Sequence, residues 1–183
     1  MRIDGDCLID ICVVEVSGPN MSGPFVFLIA FGIGFMSGLR AFTPIALVSW
    51  MAIWGWTPLA GSPFWFVGTT TCAVLMSILA LGELIGDKLP RTPPRIQTAP
   101  LGARITTGAI SAAAICIAGG EPWFLGVVVG AIGSITGAFG GYHARRFIVQ
   151  KLRIRDFLVA LIEDIVAISG TLVLVRYFFS RPL

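Results

Sequence analysis

The sequence predicts an all-α fold, a polytopic transmembrane helical bundle of about five spans, with four and six as the alternative counts. Three observations predict it. Hydrophobic residues make up 56% of the 183 and charged residues only 13%, against about 25% charged in a typical soluble domain. The apolar residues fall into long runs, several near the ~20 residues that cross a bilayer. The charges collect in the connections between runs. This length is read as one domain over 24–183, preceded by an acidic tail at 1–23.

The tail carries Asp4, Asp6, Asp10 and Glu15 with one basic residue, the reverse of a signal peptide's basic start. Met21 stands between two Gly/Pro clusters just ahead of the apolar run. It is the candidate start, with residues 1–20 outside the native fold. Residues 25–56 are then apolar except for Arg40. Gly32, Gly34, Gly38 and Pro44 predict a break or kink near 39–44. We read one span at 25–48, with a re-entrant break at Arg40 as the alternative that would change the count, then an interfacial piece carrying Trp50, Trp54, Trp56 and Trp65, because tryptophan favours that depth.

A second span is expected over 66–86, with Glu83 in its last turn and Asp87 and Lys88 beyond. Residues 90–95 (Pro-Arg-Thr-Pro-Pro-Arg) cannot lie inside a helix, since proline lacks the donor N–H. A short third span follows at 104–119. The fourth, 126–146, carries Gly126, Gly130, Gly133, Gly137 and Gly140 along one helical side. In water that glycine content would weaken a helix by roughly 1 kcal/mol per residue; in lipid, small residues admit close helix contacts. The stripe is therefore expected to meet a helix or a second subunit. A fifth span is expected over 157–179.

Loops 88–104 and 143–155 hold nine of the thirteen Lys and Arg residues, while 51–65 and 119–123 hold none. Basic loops stay cytoplasmic. The N-terminus is then inside, the C-terminus outside, and the compartment a bacterial inner membrane. The segments 34–38 (Gly-Phe-Met-Ser-Gly) and 133–137 (Gly-Ser-Ile-Thr-Gly), each followed by a carboxylate-bearing helix, suggest an internal repeat of inverted topology.

Ionisable groups within spans are costly and are the default functional candidates. Arg40, Glu83, Asp87, Glu163 and Asp164 qualify, either lining a pathway or acting as buried staples. Lys88 and Arg104 are expected near the membrane surface. Arg91, Arg95, Arg145, Arg146 and Lys151 are candidates for anionic lipid headgroups. The single histidine, His143, and the cysteines Cys7, Cys12, Cys72 and Cys116 offer no zinc-ligand spacing, so no metal is expected. No nucleophile elbow or phosphate loop is present, which argues against an enzyme and against a cofactor. The expected partners are the bilayer and further copies of the chain in a homo-oligomer, with no nucleic acid.

Four blocks carry a resemblance: Gly38-Leu-Arg-Ala-Phe-Thr-Pro44, Glu83-Leu-Ile-Gly-Asp-Lys-Leu-Pro90, Gly140-Gly-Tyr-His-Ala-Arg-Arg146 and Glu163-Asp-Ile-Val-Ala167. Together they make residues 25–178 resemble the small bacterial membrane family filed as domain of unknown function 4126. The resemblance implies a multi-span inner-membrane protein and no established activity. The readings carried forward are a small transporter or channel for an ion or small solute, or a non-transporting membrane module that binds lipid or a partner protein. An intramembrane enzyme is the weakest alternative.

Overall fold

Prolines set where the helices begin. Pro24, Pro44, Pro100 and Pro122 each fall in the first turn of a helix or just before it, where the missing N–H has no intrahelical partner to lose. In this computed structural model, which describes residues 23–57, 59–86, 98–152 and 156–179, six helices follow. They are α1 (Gly23–Leu39), α2 (Phe42–Ile53), α3 (Thr70–Gly86), α4 (Thr98–Ala118), α5 (Trp123–Leu152) and α6 (Asp156–Phe179), with a 3-10 turn at Trp65–Gly68 before α3. No strand occurs among the described residues. Helices α4 and α5 are long and apolar enough to cross a bilayer, while α1, α2 and α3 are shorter apolar helices.

The single first span expected at 25–48 is replaced by two helices, α1 and α2, that turn back on each other at Arg40. Several contacts fix the reversal. Gly23 lies against Glu121 in the α4–α5 turn, and Gly119 lies against Val26. Ala52, at the far end of α2, packs on Gly68, and Phe64 stacks edge-on to Trp123 at 5.8 Å. Both ends of the α1–α2 hairpin therefore sit at the level of the α4–α5 turn, and its tip at Arg40 points to the opposite end.

The direction of the chain follows. Helix α6 runs antiparallel to α1, with Met36 beside Gly170, Gly32 beside Leu174 and the rings of Phe25 and Tyr177 5.5 Å apart. The described N-terminal and C-terminal ends thus share one end of the bundle. That corrects the expected placement of the termini on opposite sides, which rested on counting 25–48 as one crossing. The inverted repeat is also overturned. Its two glycine segments lie on α1 and α5, which run parallel and pack on one another, and the helices carrying Glu83 and Glu163 run in opposite directions.

Helix α1 sits at the centre, packed mainly on α5 and α4, with α6 beside it and α2 joining α3 to the bundle. Small residues permit this. A Cβ on Gly38 would meet the backbone of Ser134, Gly137 and Ala138, and one on Gly34 would come within 2.8 Å of the Gly130 Cα. The core of Val26, Ile29, Ile33, Val48, Ile115 and Phe178 lies toward the end with the termini. Large apolar side chains remain exposed outside: Leu75, Ile78 and Leu81 on α3, Val128 and Ile132 on α5, Ile162, Ile165 and Val173 on α6. Trp54, Trp56, Trp65 and Trp123 are exposed near the α4–α5 turn, whereas Trp50 is half-buried and donates its indole N–H to Ser77 at 3.0 Å.

Candidate functional site: a charged node at the helix break

Pro44 explains why α1 does not continue. It has no N–H to return to the carbonyl four residues back, that of Arg40, so the helical ladder stops there. The break leaves α1 with unbonded C-terminal carbonyls and α2 with unbonded N-terminal N–H groups. Ala41, the N-cap of α2, makes no side-chain cap.

Charged side chains from other helices fill these positions. Glu83 of α3 accepts the Ala41 N–H at Oε1 (2.9 Å) and the Phe42 N–H at Oε2 (3.2 Å). Arg104 of α4 donates through Nη1 to the Gly38 and Leu39 carbonyls at 2.7 and 3.1 Å. Arg104 Nη2 also reaches Glu83 Oε1 at 3.4 Å. An anion thus sits at the positive end of α2 and a cation at the negative end of α1, the sense the helix dipoles favour. Within the break, Arg40 Nε donates to Asp164 Oδ1 of α6 at 2.8 Å, and Arg40 Nη2 meets the same oxygen. Arg40 is wholly buried, with Asp164 and Arg104 nearly so.

A hydroxyl cluster lies on the inner side of this node. Ser37 shares a 2.9 Å hydrogen bond with Thr107, and the Ser134 hydroxyl donates to the carbonyls of Gly34 (3.1 Å) and Gly130 (2.8 Å). The node itself lies toward the basic end. Asp164 is eight residues into α6, about 12 Å along it at 1.5 Å per residue.

The expected site residues divide accordingly. Arg40, Glu83 and Asp164 come together, and Arg104 joins them as a buried member instead of a surface partner. Helix α4 begins at Thr98, so Arg104 lies inside it and the loop expected at 88–104 is shorter; α5 likewise runs through most of the expected loop 143–155. Glu163 is half-buried on a different side of α6, facing Gly141 of α5. Asp87, Lys88, Arg91 and Arg95 lie outside the described residues, as do Met21 and the acidic tail. Arg146 and Lys151 are exposed on the far end of α5 and Arg145 is half-buried there, with the Lys151 ammonium over the Phe147 ring at 4.9 Å.

The glycine stripe divides between two partners. Gly126 and Gly130 meet α4 at Ala112, Ala113 and Gly108, whereas Gly133 and Gly137 meet α1 at Phe31 and Phe35. Gly140 comes only to 4.0 Å of Phe35, and the close contact there belongs to Gly141 against Leu39. Among the described residues, no three His, Cys, Asp or Glu side chains group in a way that could hold a metal ion.

Three of the node's residues, Arg40, Glu83 and Asp164, lie in the blocks of the sequence resemblance and Arg104 lies outside them, and a family model matches residues 27–177 over nearly the whole described chain. The chain belongs to the family described as domain of unknown function (DUF4126). No curated protein and no solved structure matches it. In this DUF4126 chain the matched region takes in all four node residues, Arg40, Glu83, Arg104 and Asp164.

Proposed function

We propose that this chain is an integral membrane protein of the bacterial inner membrane that carries a small ion or solute past the charged node. The observation that carries this reading is the α1–α2 break, whose two helix ends converge on Glu83, Arg104, Arg40 and Asp164. Discontinuous helices with paired half-helix ends are the usual way a membrane protein builds a site away from bulk water. The apolar outer faces of α3, α5 and α6 support immersion in lipid, and the basic segments support a cytoplasmic location for the hairpin tip. Both described termini then face outward. The helices enclose little volume alone, so the working unit in this reading is a homo-oligomer.

The test is ion flux through purified protein in liposomes, comparing wild type with Asp164→Asn and Arg40→Gln. Flux lost in both variants, measured on the fraction of each that stays folded by size exclusion, is the expected result. Absence of flux for chloride, sodium, potassium and protons in the wild type would overturn ion carriage.

One observation favours a second reading. Arg40 has 0% exposure and Asp164 3%, so their pair is sealed from solvent. In that reading the charges staple a non-transporting module that binds lipid or a partner protein. Carboxyl-modifying reagents discriminate: a pathway predicts that water-soluble reagents reach Asp164, and a staple predicts protection.

A further inference from the structure

We infer that the outward face of α5 holds an anionic phospholipid, phosphatidylglycerol by its chemistry, with the headgroup in a basic cavity and an acyl chain along the apolar stripe beside it. The inference rests on the membrane reading and is independent of transport. A cavity of about 340 Å³ lies near the C-terminal end of α5, lined by Tyr142, Arg145, Arg146, Val149 and Gln150. That size falls within the ~300–1,000 Å³ usual for small-ligand sites. Two arginines line it and none of the five residues is acidic, so its charge complements a phosphodiester. The guanidinium fork also matches phosphate oxygens in shape. The other polar lining residues, Tyr142 and Gln150, are uncharged hydrogen-bonding groups, which suit the hydroxyls of a glycerol headgroup.

A second observation is the surface that leads to the cavity. Val128, Ile132, Ile135 and Phe139 are each 40% or more exposed. They recur at intervals of three and four, and the same line continues through Tyr142, Arg146 and Gln150. Eleven residues separate Val128 from Phe139, about 16 Å at 1.5 Å per residue, which is roughly one leaflet of a ~30 Å hydrocarbon core. Apolar stripe and charged cavity thus follow one another along α5 in the order in which a lipid carries its chain and headgroup. The glycine-lined side of α5 is packed on α1 and α4, so this face is turned outward. Lys151 stands off the line, with its ammonium over the Phe147 ring at 4.9 Å. It separates binding at this site from general attraction to an anionic surface.

Native mass spectrometry of the purified full chain in detergent reads the site. Palmitoyl-oleoyl phosphatidylglycerol is titrated in parallel with phosphatidylcholine of the same chains. The wild type should retain phosphatidylglycerol saturably and about tenfold more tightly than phosphatidylcholine, and Arg146→Gln should remove most of that preference. Lys151→Gln, which removes the same charge off the line, should leave it unchanged. Arg146→Lys keeps the charge without the fork and should fall between; it covers the case in which the glutamine variant does not fold. Glycerophosphoglycerol, the same headgroup without chains, should not displace the lipid. Equal retention of the two lipids, an equal loss in Lys151→Gln, or displacement by the chain-free headgroup overturns the proposal. None of these touches the membrane reading, which fails instead if the protein stays monodisperse once detergent is removed.

Discussion

Arg40 Nε donates to Asp164 Oδ1 at 2.8 Å across 124 sequence positions, and both residues are buried. Removing one partner strands a charge away from water, at a cost of about 3–5 kcal/mol, whereas replacing both with apolar groups of similar size is often near neutral. Asp164→Ala is therefore expected to lower folded yield and Tm sharply, and Arg40→Met with Asp164→Leu to recover most of the loss. Thermal melts of the three proteins in detergent check this. A double variant as damaged as the single one would mean that the pair does more than hold the helices.

Arg104 holds the C-terminal end of α1. Arg104→Gln removes two charge-assisted bonds to carbonyls, each worth about 1.5–3 kcal/mol. Amide hydrogen exchange should then quicken at residues 36–44 and stay unchanged in the middle of α5. Uniform acceleration along the chain would point to global destabilisation instead.

The glycine contacts predict a graded tolerance. Gly34→Leu and Gly133→Leu drive a side chain into facing backbone and should abolish folded expression. Val128→Leu lies on the exposed outer side of α5 and should be silent. Gly140→Leu has about 4 Å of clearance and should be close to silent. Fluorescence-detected size-exclusion profiles of the four variants report the ranking. Damage at Gly140 equal to that at Gly133 would reveal a partner across that face.

Topology gives a fourth prediction. Reporters fused at the N-terminus and the C-terminus should report the same side of the membrane, and one inserted within residues 88–97 should report the other. Phosphatase and fluorescent-protein fusions read this directly. Opposite signals from the two termini would restore a single crossing over 25–48.

The break itself was legible, because Gly38, Arg40 and Pro44 cluster in an apolar run. The choice between a kinked span and a reversal at Arg40 was not: hydropathy is the same for both, and only contacts of Phe64, Ala52 and Gly119 with other elements distinguish them. The loop expected at 88–104 hid Arg104, although Pro100 is at home in the first turn of α4. A first-turn reading of Pro100 would have put Arg104 inside α4. Choosing Asp164 over Glu163 was also within reach. Ala160, Asp164, Ala167, Thr171, Val175 and Phe178, all buried, recur at helical spacing, and Glu163 falls off that line. Glycine spacing announced a close contact on α5 but not its division between α1 and α4, since bare backbone has no side chain to choose a partner.

The position of Arg40 in the chain has a consequence for biogenesis. The acid that neutralises Arg40 arrives 124 residues later. At about 5–20 residues per second that is a delay of roughly 6–25 s, far longer than a helix takes to form. The hairpin's tip must spend that interval with its guanidinium in a polar setting other than the Asp164 carboxylate. It can enter its final place only when α6 emerges, so a hairpin made before α3 to α5 is completed after them.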